Sequence, residues 1–331
     1  MNPTDSPSHP YDRLTPEVVL DAVESFGVEC DGRFLALNSY ENRVYQVGVE
    51  DGAPLIAKFY RPARWSDAAI LEEHAFAAEL AEREIPVVAP LTGANGETLF
   101  RHEGFRFALY PRRGGRAPEL DDPENQRVLG RFIARIHALA ATRRFQHRPA
   151  LSVESATSEL EFLLESGRIP AELVHNYRAA AEQVLQQAAA AFESVYDLQR
   201  LRLHGDCHPG NILWTEQGPH FVDLDDAVTG PAAQDLWMLL SGDRHDMQRQ
   251  LIPLLEGYAE FHDFDPQELR LIEPLRGLRL IRYAAWLARR WDDPAFPLHF
   301  PWFALPRYWE EQMLTLREQC ERLDAPPLEL T

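Results

Sequence analysis

The sequence predicts an α+β fold of two lobes. A small antiparallel β-rich lobe covers residues 14–112 and a larger, mainly helical lobe covers 113–331, behind a polar, proline-rich, disordered start at 1–13. Three observations lead there. Residues 34–60 alternate apolar and polar side chains about a turn; PRRGG at 111–115 breaks the chain after the last strand-like piece; and beyond about residue 123 apolar side chains recur at helical spacing.

Each element has its own signal. RVYQVGV, the turn EDGA and PLIAKFY read as a hairpin. In its second strand Ile56, Lys58 and Tyr60 share one face, opposite Ala57 and Phe59. Ser66 caps a helix running to about Arg83, which Ile85-Pro86 stops. ETLF at 97–100 and GFRFALY at 104–110 add two strands. QRVLGRFIARIHALA, residues 156–196 and LIEPLRGLRLIRYAAWLARRW carry the 3.6-residue period of amphipathic helices. Two short apolar pieces, LRLH and FVDLDD, interrupt the helical lobe, and no internal repeat or low-complexity tract is visible.

Composition narrows the function. A net charge of -19, with no run of more than two basic residues, argues against DNA or RNA as partner. No apolar run reaches the length of a membrane span, no signal peptide is visible, and three scattered cysteines suit a reducing, cytoplasmic setting. Of 33 lysines and arginines, only Lys58 is a lysine. Either chance left it, or a compact ammonium is needed there.

The stretch LRLHGDCHPGNILW concentrates polarity between two apolar runs. His204, Cys207 and His208 are zinc-ligand types, but their spacing matches no common zinc pattern and no second ligand pair follows. A Cys207–His208 nucleophilic pair fails because neighbours on extended or turn backbone point apart; a buried inert thiol is the better reading of Cys207. The spacing itself says more. His204-x-Asp206-x(4)-Asn211, followed by a strand closing on Asp223, is the catalytic-loop layout of kinases.

Phosphoryl transfer explains each position. Asp206 would orient the attacking hydroxyl and accept its proton, Asn211 and Asp223 would hold Mg²⁺, and Lys58 would contact the phosphates of ATP. A helix glutamate would hold the lysine; Glu73 is preferred to Glu72 by its distance from the Ile85-Pro86 stop, a solvated face being the alternative for either. His137 and His204 read as core histidines, and Asp235 as a cap or brace of the catalytic loop. Asp225 and Asp226 are left between assisting the metal and ordinary turn acids. Arg112, Arg113 and Arg116 at the lobe junction, with Arg289 and Arg290 on a helix, read as solvated charges. Tyr110 is placed in the hinge against adenine, with backbone of 109–111 reading the base edge.

HGDCHPGNILW together with FVDLDDAVTGPAAQDLW resembles the aminoglycoside phosphotransferase and choline kinase superfamily, and the likeness runs from about residue 14 to the PPLEL tail. The resemblance implies a protein-kinase-like fold and a monomeric, cytoplasmic, ATP- and Mg²⁺-dependent Ser/Thr kinase of proteins. It also implies autophosphorylation and a link to envelope and oxidative stress. Carried over by position, Asp206 is the proton acceptor, Asn211 and Asp223 the Mg²⁺ ligands, and Ser39 part of the loop over ATP. That loop, residues 38–42, has no glycine, so cover of the phosphates would fall to the side chains of Ser39 or Asn42 as well. The interval from Asp223 to Gly230-Pro231 is short for a phosphorylatable activation segment. The same layout serves kinases of small-molecule hydroxyls, and fold does not settle the substrate. A nucleotide-binding scaffold without catalysis would have no need of Asp206.

Overall fold

The computed structural model describes residues 9–330. In chain order the elements are α1 (Pro16–Glu24), β1 (Cys30–Ala36), β2 (Arg43–Val49), β3 (Leu55–Phe59), α2 (Asp67–Glu82), β4 (Phe100–His102), β5 (Phe105–Pro111), α3 (Pro123–Ala140), α4 (Val153–Glu165) and α5 (Val174–Ser194). There follow β6 (Leu201–Leu203), β7 (Ile212–Thr215), β8 (Gly218–Phe221), β9 (Val228–Gly230), α6 (Ala233–Trp237), α7 (Arg244–Tyr258), α8 (Ile272–Arg290), α9 (Ala295–His299) and α10 (Pro306–Asp324).

The chain forms two compact units. Of the described residues, the first holds 9–118, 145–148 and 210–227, and the second 119–144, 149–209 and 228–330. The division expected between 112 and 113 therefore falls later, and the hairpin β7–β8, assigned by sequence to the helical lobe, belongs to the first unit. Its backbone explains why: Val88 N–H donates to Phe221 C=O at 3.0 Å, Phe221 N–H to Pro86 C=O at 2.7 Å, and Arg116 pairs with Trp214. The disordered start also needs correction. Residues 1–8 lie outside the described residues, but Tyr11 is buried in the core of the first unit, its hydroxyl donating to Phe59 C=O at 3.3 Å.

In the first unit, five antiparallel strands run in the order β1-β2-β3-β5-β4. The alternation of β3 separates two cores. Ala57 and Phe59 join Phe105, Phe107 and Leu109 under α1, while Tyr60 packs with Ile70 of α2, Ala108, Trp65 and Tyr110. Helix α2 starts where Ser66 Oγ accepts the Ala69 N–H. It ends in a left-handed turn at Glu84, after which Ile85 N–H returns to Leu80 C=O at 3.0 Å, the geometry that closes a helix before proline. The strand expected at 97–100 begins only at Phe100, since Thr98 is drawn into a hydrogen bond with His74 at 2.8 Å.

The second unit is helical, with β6 paired only to β9. Helices α3 and α7 approach closely through glycines on both: a Cβ on Gly130 would strike the Leu254 carbonyl, and one on Gly257 the Arg127 carbonyl. Helix α5 packs on α8 and α10. The periodic stretch 156–196 is two helices rather than one, because Gly167 takes a positive φ of 68° and turns the chain. Among the described residues no helix is long and apolar enough to cross a membrane.

Candidate active site

The first unit buries a lysine among acids. Lys58 stands in β3 between Val44 and Ala108, and its Nζ lies 2.8 Å from Asp223 Oδ1 and 3.2 Å from Asp225 Oδ1. Burial alone would drive its proton off, but the charges of Asp223 and Asp225 outweigh that and hold its pKa well above the lysine range. The expected lysine–glutamate pair is not made. Glu72 instead accepts the backbone N–H groups of Gln146, His147 and Arg148 at 2.6, 2.7 and 2.8 Å. Glu73 is buried near Lys58 without reaching ion-pair distance, and its Oε2 has no hydrogen-bond partner among the described residues. Burial pushes its carboxyl up to about 7, against the pull of Lys58.

Asp225, left open by sequence, is a hub. Arg64 bonds its carboxylate and reaches Asp226 at 2.6 Å, while Arg148 bonds the backbone carbonyls of Asp225 and of Ala227. Burial would raise the Asp225 carboxyl, yet Arg64, Lys58 and Arg148 hold it well below the usual range. Sequence reasoning missed Arg64 and Arg148, whose partner stands 161 and 77 residues away along the chain. Asn42, expected at the phosphates, is buried, and its Oδ1 accepts the Arg61 N–H at 3.1 Å. Ser39 lies in the β1–β2 turn, donating from Oγ to Asn42 C=O at 3.1 Å. Tyr110, placed by sequence against adenine, has its hydroxyl 3.0 Å from that of Tyr60 and 3.5 Å from His74 Nε2, and the neighbouring Leu109 C=O accepts from Leu91 N–H at 2.7 Å.

Asn211 and Asp223 are neighbours because Val222 N–H donates to Asn211 C=O at 3.0 Å, one step past the Ile212–Phe221 pair. Asp223 takes a left-handed φ of 60°, which aspartate tolerates better than most residues, and its side chain is 55% exposed beside Lys58. Two hard oxygen donors fit Mg²⁺, which takes few protein ligands and completes its shell with water and phosphate. Among the described residues no group of three His, Cys, Asp or Glu is placed to hold a metal ion.

The second unit presents Asp206. After β6 the chain turns at Gly205, φ 84°, and Asp235 fixes that turn by accepting the N–H of His204 and of Gly205, each at 2.9 Å. His137 Nε2 lies 3.1 Å from Asp235, and its Nδ1 2.8 Å from Tyr258 Oη. The Asp235 carboxylate can only accept, so His137 donates to it from Nε2. Gln234 adds a bond to Gly205 C=O at 2.9 Å. Asp206 itself pairs with Arg279 at 2.7 Å and His208 at 3.4 Å. Burial would raise its carboxyl, but His208, Arg279 and His204 hold it well below the carboxylate range. Cys207 is buried, and that burial pushes its thiol up, so it is no nucleophile. Arg279 has no signal in spacing, standing 73 residues from its partner.

The antiparallel sheet of the first unit and the helical second unit make the fold that of the protein-kinase-like phosphotransferases. The chain belongs to the phosphotransferase enzyme family, whose model matches residues 33–272. It is 46% identical over 322 residues to stress response kinase A of Escherichia coli strain K12, covering 97% of each chain. It is 45% identical, at the same coverage, to the protein of Salmonella typhimurium named serine/threonine protein kinase RdoA. In fold it is similar to an amicoumacin kinase solved with AMP-PNP and Ca²⁺ (TM-score 0.69, 20% identity, 90% of each chain). A microcompartment-associated aminopropanol kinase is also similar (TM-score 0.70, 17% identity, 95% of this chain and 100% of that one).

Proposed function

We propose that this protein is an ATP- and Mg²⁺-dependent kinase that moves the γ-phosphoryl group to serine and threonine hydroxyls of proteins, its own included. It would act as a cytoplasmic monomer in the response to envelope and oxidative stress. The observation that carries the chemistry is the pairing of Lys58 with Asp223 at 2.8 Å, on a chain whose Asp206 is held by the Asp235 clamp. The full-length likeness to relatives named as stress response and Ser/Thr protein kinases supports the acceptor.

Asp206 orients the acceptor hydroxyl toward the phosphorus and takes its proton as the new P–O bond forms and the bond to the ADP oxygen breaks. In a loose transition state the proton leaves late, so a carboxylate is base enough. Lys58 places its ammonium on the phosphates, and Ser39 lies in the covering turn. Asn211 and Asp223 would hold Mg²⁺ through oxygen, and the bound ion would neutralise phosphate charge.

The amicoumacin and aminopropanol kinases carry the fold and not the substrate, so a small hydroxyl acceptor is the competing outcome. The test is transfer of labelled γ-phosphate from Mg-ATP, in parallel, to casein and histone and to a panel of amino-alcohols, sugars and aminoglycosides. Label on protein, including the enzyme, supports the proposal. Label on a small molecule alone moves the acceptor and keeps the catalytic assignment.

A further inference from the structure

The Asp206 carboxylate, which has to receive the acceptor hydroxyl, is already covered. Arg279 Nη1 lies 2.7 Å from its Oδ1, and His208 Nε2 3.4 Å from its Oδ2. Arg279 comes from α8, so no local turn forces the contact. Its side chain is 44% exposed and its one hydrogen bond among the described residues goes to Asp206, which leaves its remaining N–H donors open to a ligand. An incoming hydroxyl competes with that guanidinium for the same oxygen. The arginine can be released to water at this exposed site, but an anion beside the incoming hydroxyl keeps it paired and so favours that acceptor over others.

The surface next to Arg279 fits a chain better than a compact cation. Tyr283 follows one turn later on the same side of α8, 37% exposed, with its ring 5.6 Å from that of Trp286. Trp286 rests on the buried rings of Phe296 and Phe300, and Phe300 backs Trp302, so Tyr283 and Trp302, each 37% exposed, are the rings a chain could lie on. Aromatic faces attract cations, but the position closest to Asp206 is held by a fixed positive charge that repels them. A polypeptide lying on the rings, with a carboxylate beside its hydroxyl, satisfies both features.

We infer that Arg279 sets acceptor specificity: it selects a serine or threonine flanked by an acidic side chain, which takes the guanidinium and so frees Asp206. The inference rests on the protein-kinase reading proposed above. It is tested with the full chain by steady-state transfer from Mg-ATP to casein, histone and three peptides that differ only in flanking one serine with Glu, Ala or Arg. Wild type, Arg279→Ala and Arg279→Glu are compared, with Asp206→Asn as blank. Wild type is expected to favour the Glu peptide over the Arg peptide by about tenfold or more in kcat/KM. Arg279→Ala should abolish that preference and Arg279→Glu should reverse it, with KM for ATP unchanged. The same preference in all three enzymes, or a uniform loss of rate with unchanged preference, overturns the inference and leaves the kinase reading standing. Transfer to small molecules but to no protein or peptide overturns both.

Discussion

Asp235 accepts the Gly205 N–H at 2.9 Å with one carboxylate oxygen and the His204 N–H at 2.9 Å with the other, so a single buried acid sets the turn that carries Asp206. An asparagine has one acceptor oxygen for those two donors and must aim its NH₂ at the second, or at His137. Asp235→Asn is therefore expected to cost about 2–4 kcal/mol in stability by urea denaturation. Its kcat should fall further than the folded fraction does, because the turn presenting Asp206 loosens.

Lys58 is expected to be needed for transfer and not for folding. In Lys58→Met, Asp225 keeps its ion pair with Arg64. The variant should stay folded by circular dichroism while transfer drops on the order of 10²–10³-fold. Lys58→Arg should rescue little, since a planar fork does not replace a compact ammonium between Asp223 and Asp225.

Glu72 ties α2 to residues 146–148 by three backbone bonds. Glu72→Ala is expected to speed amide exchange at those positions and to cost about 1–2 kcal/mol, water replacing part of the loss at this exposed site.

Glu268 supplies a pH signature. Its Oε2 accepts the Ala233 N–H at 2.8 Å, and burial, opposed by that bond, pushes its carboxyl from 4.5 up to about 7. A raised folded-state pKa means the folded chain binds the proton more tightly than the unfolded one. The contribution is therefore complete below about 4.5 and lost as pH rises through 7. Glu268→Gln removes the titration, so its stability relative to wild type should rise by up to about 3 kcal/mol between those limits in urea melts. A difference that stays flat with pH would contradict the assignment.

The site was legible where chemistry imposes local spacing. His204, Asp206, Asn211 and Asp223 lie within one loop and hairpin, and Lys58 stood out because the chain otherwise uses arginine. The strand alternation around Lys58 likewise exposed the two cores of the sheet. What escaped were contacts made across the sequence: Arg64 and Arg148 on Asp225, and Arg279 on Asp206. Asn42 and Tyr110 were placed at ligand by position in the chain. The bonds that the Asn42 Oδ1 and the Tyr110 hydroxyl make inside the first unit are not revealed by a linear pattern. Gly167 and the stitching of β7–β8 to residues 86–88 moved boundaries for the same reason.

The most direct measurement is single-turnover transfer of γ-phosphate by Asp206→Asn beside equilibrium binding of Mg-ATP by the same variant. Asn keeps the shape of Asp206 but can neither accept the hydroxyl proton nor balance Arg279. The expected result is a loss of transfer of about 10²-fold or more with Mg-ATP affinity within a few-fold of wild type. Transfer at the wild-type rate would contradict the central role given to Asp206.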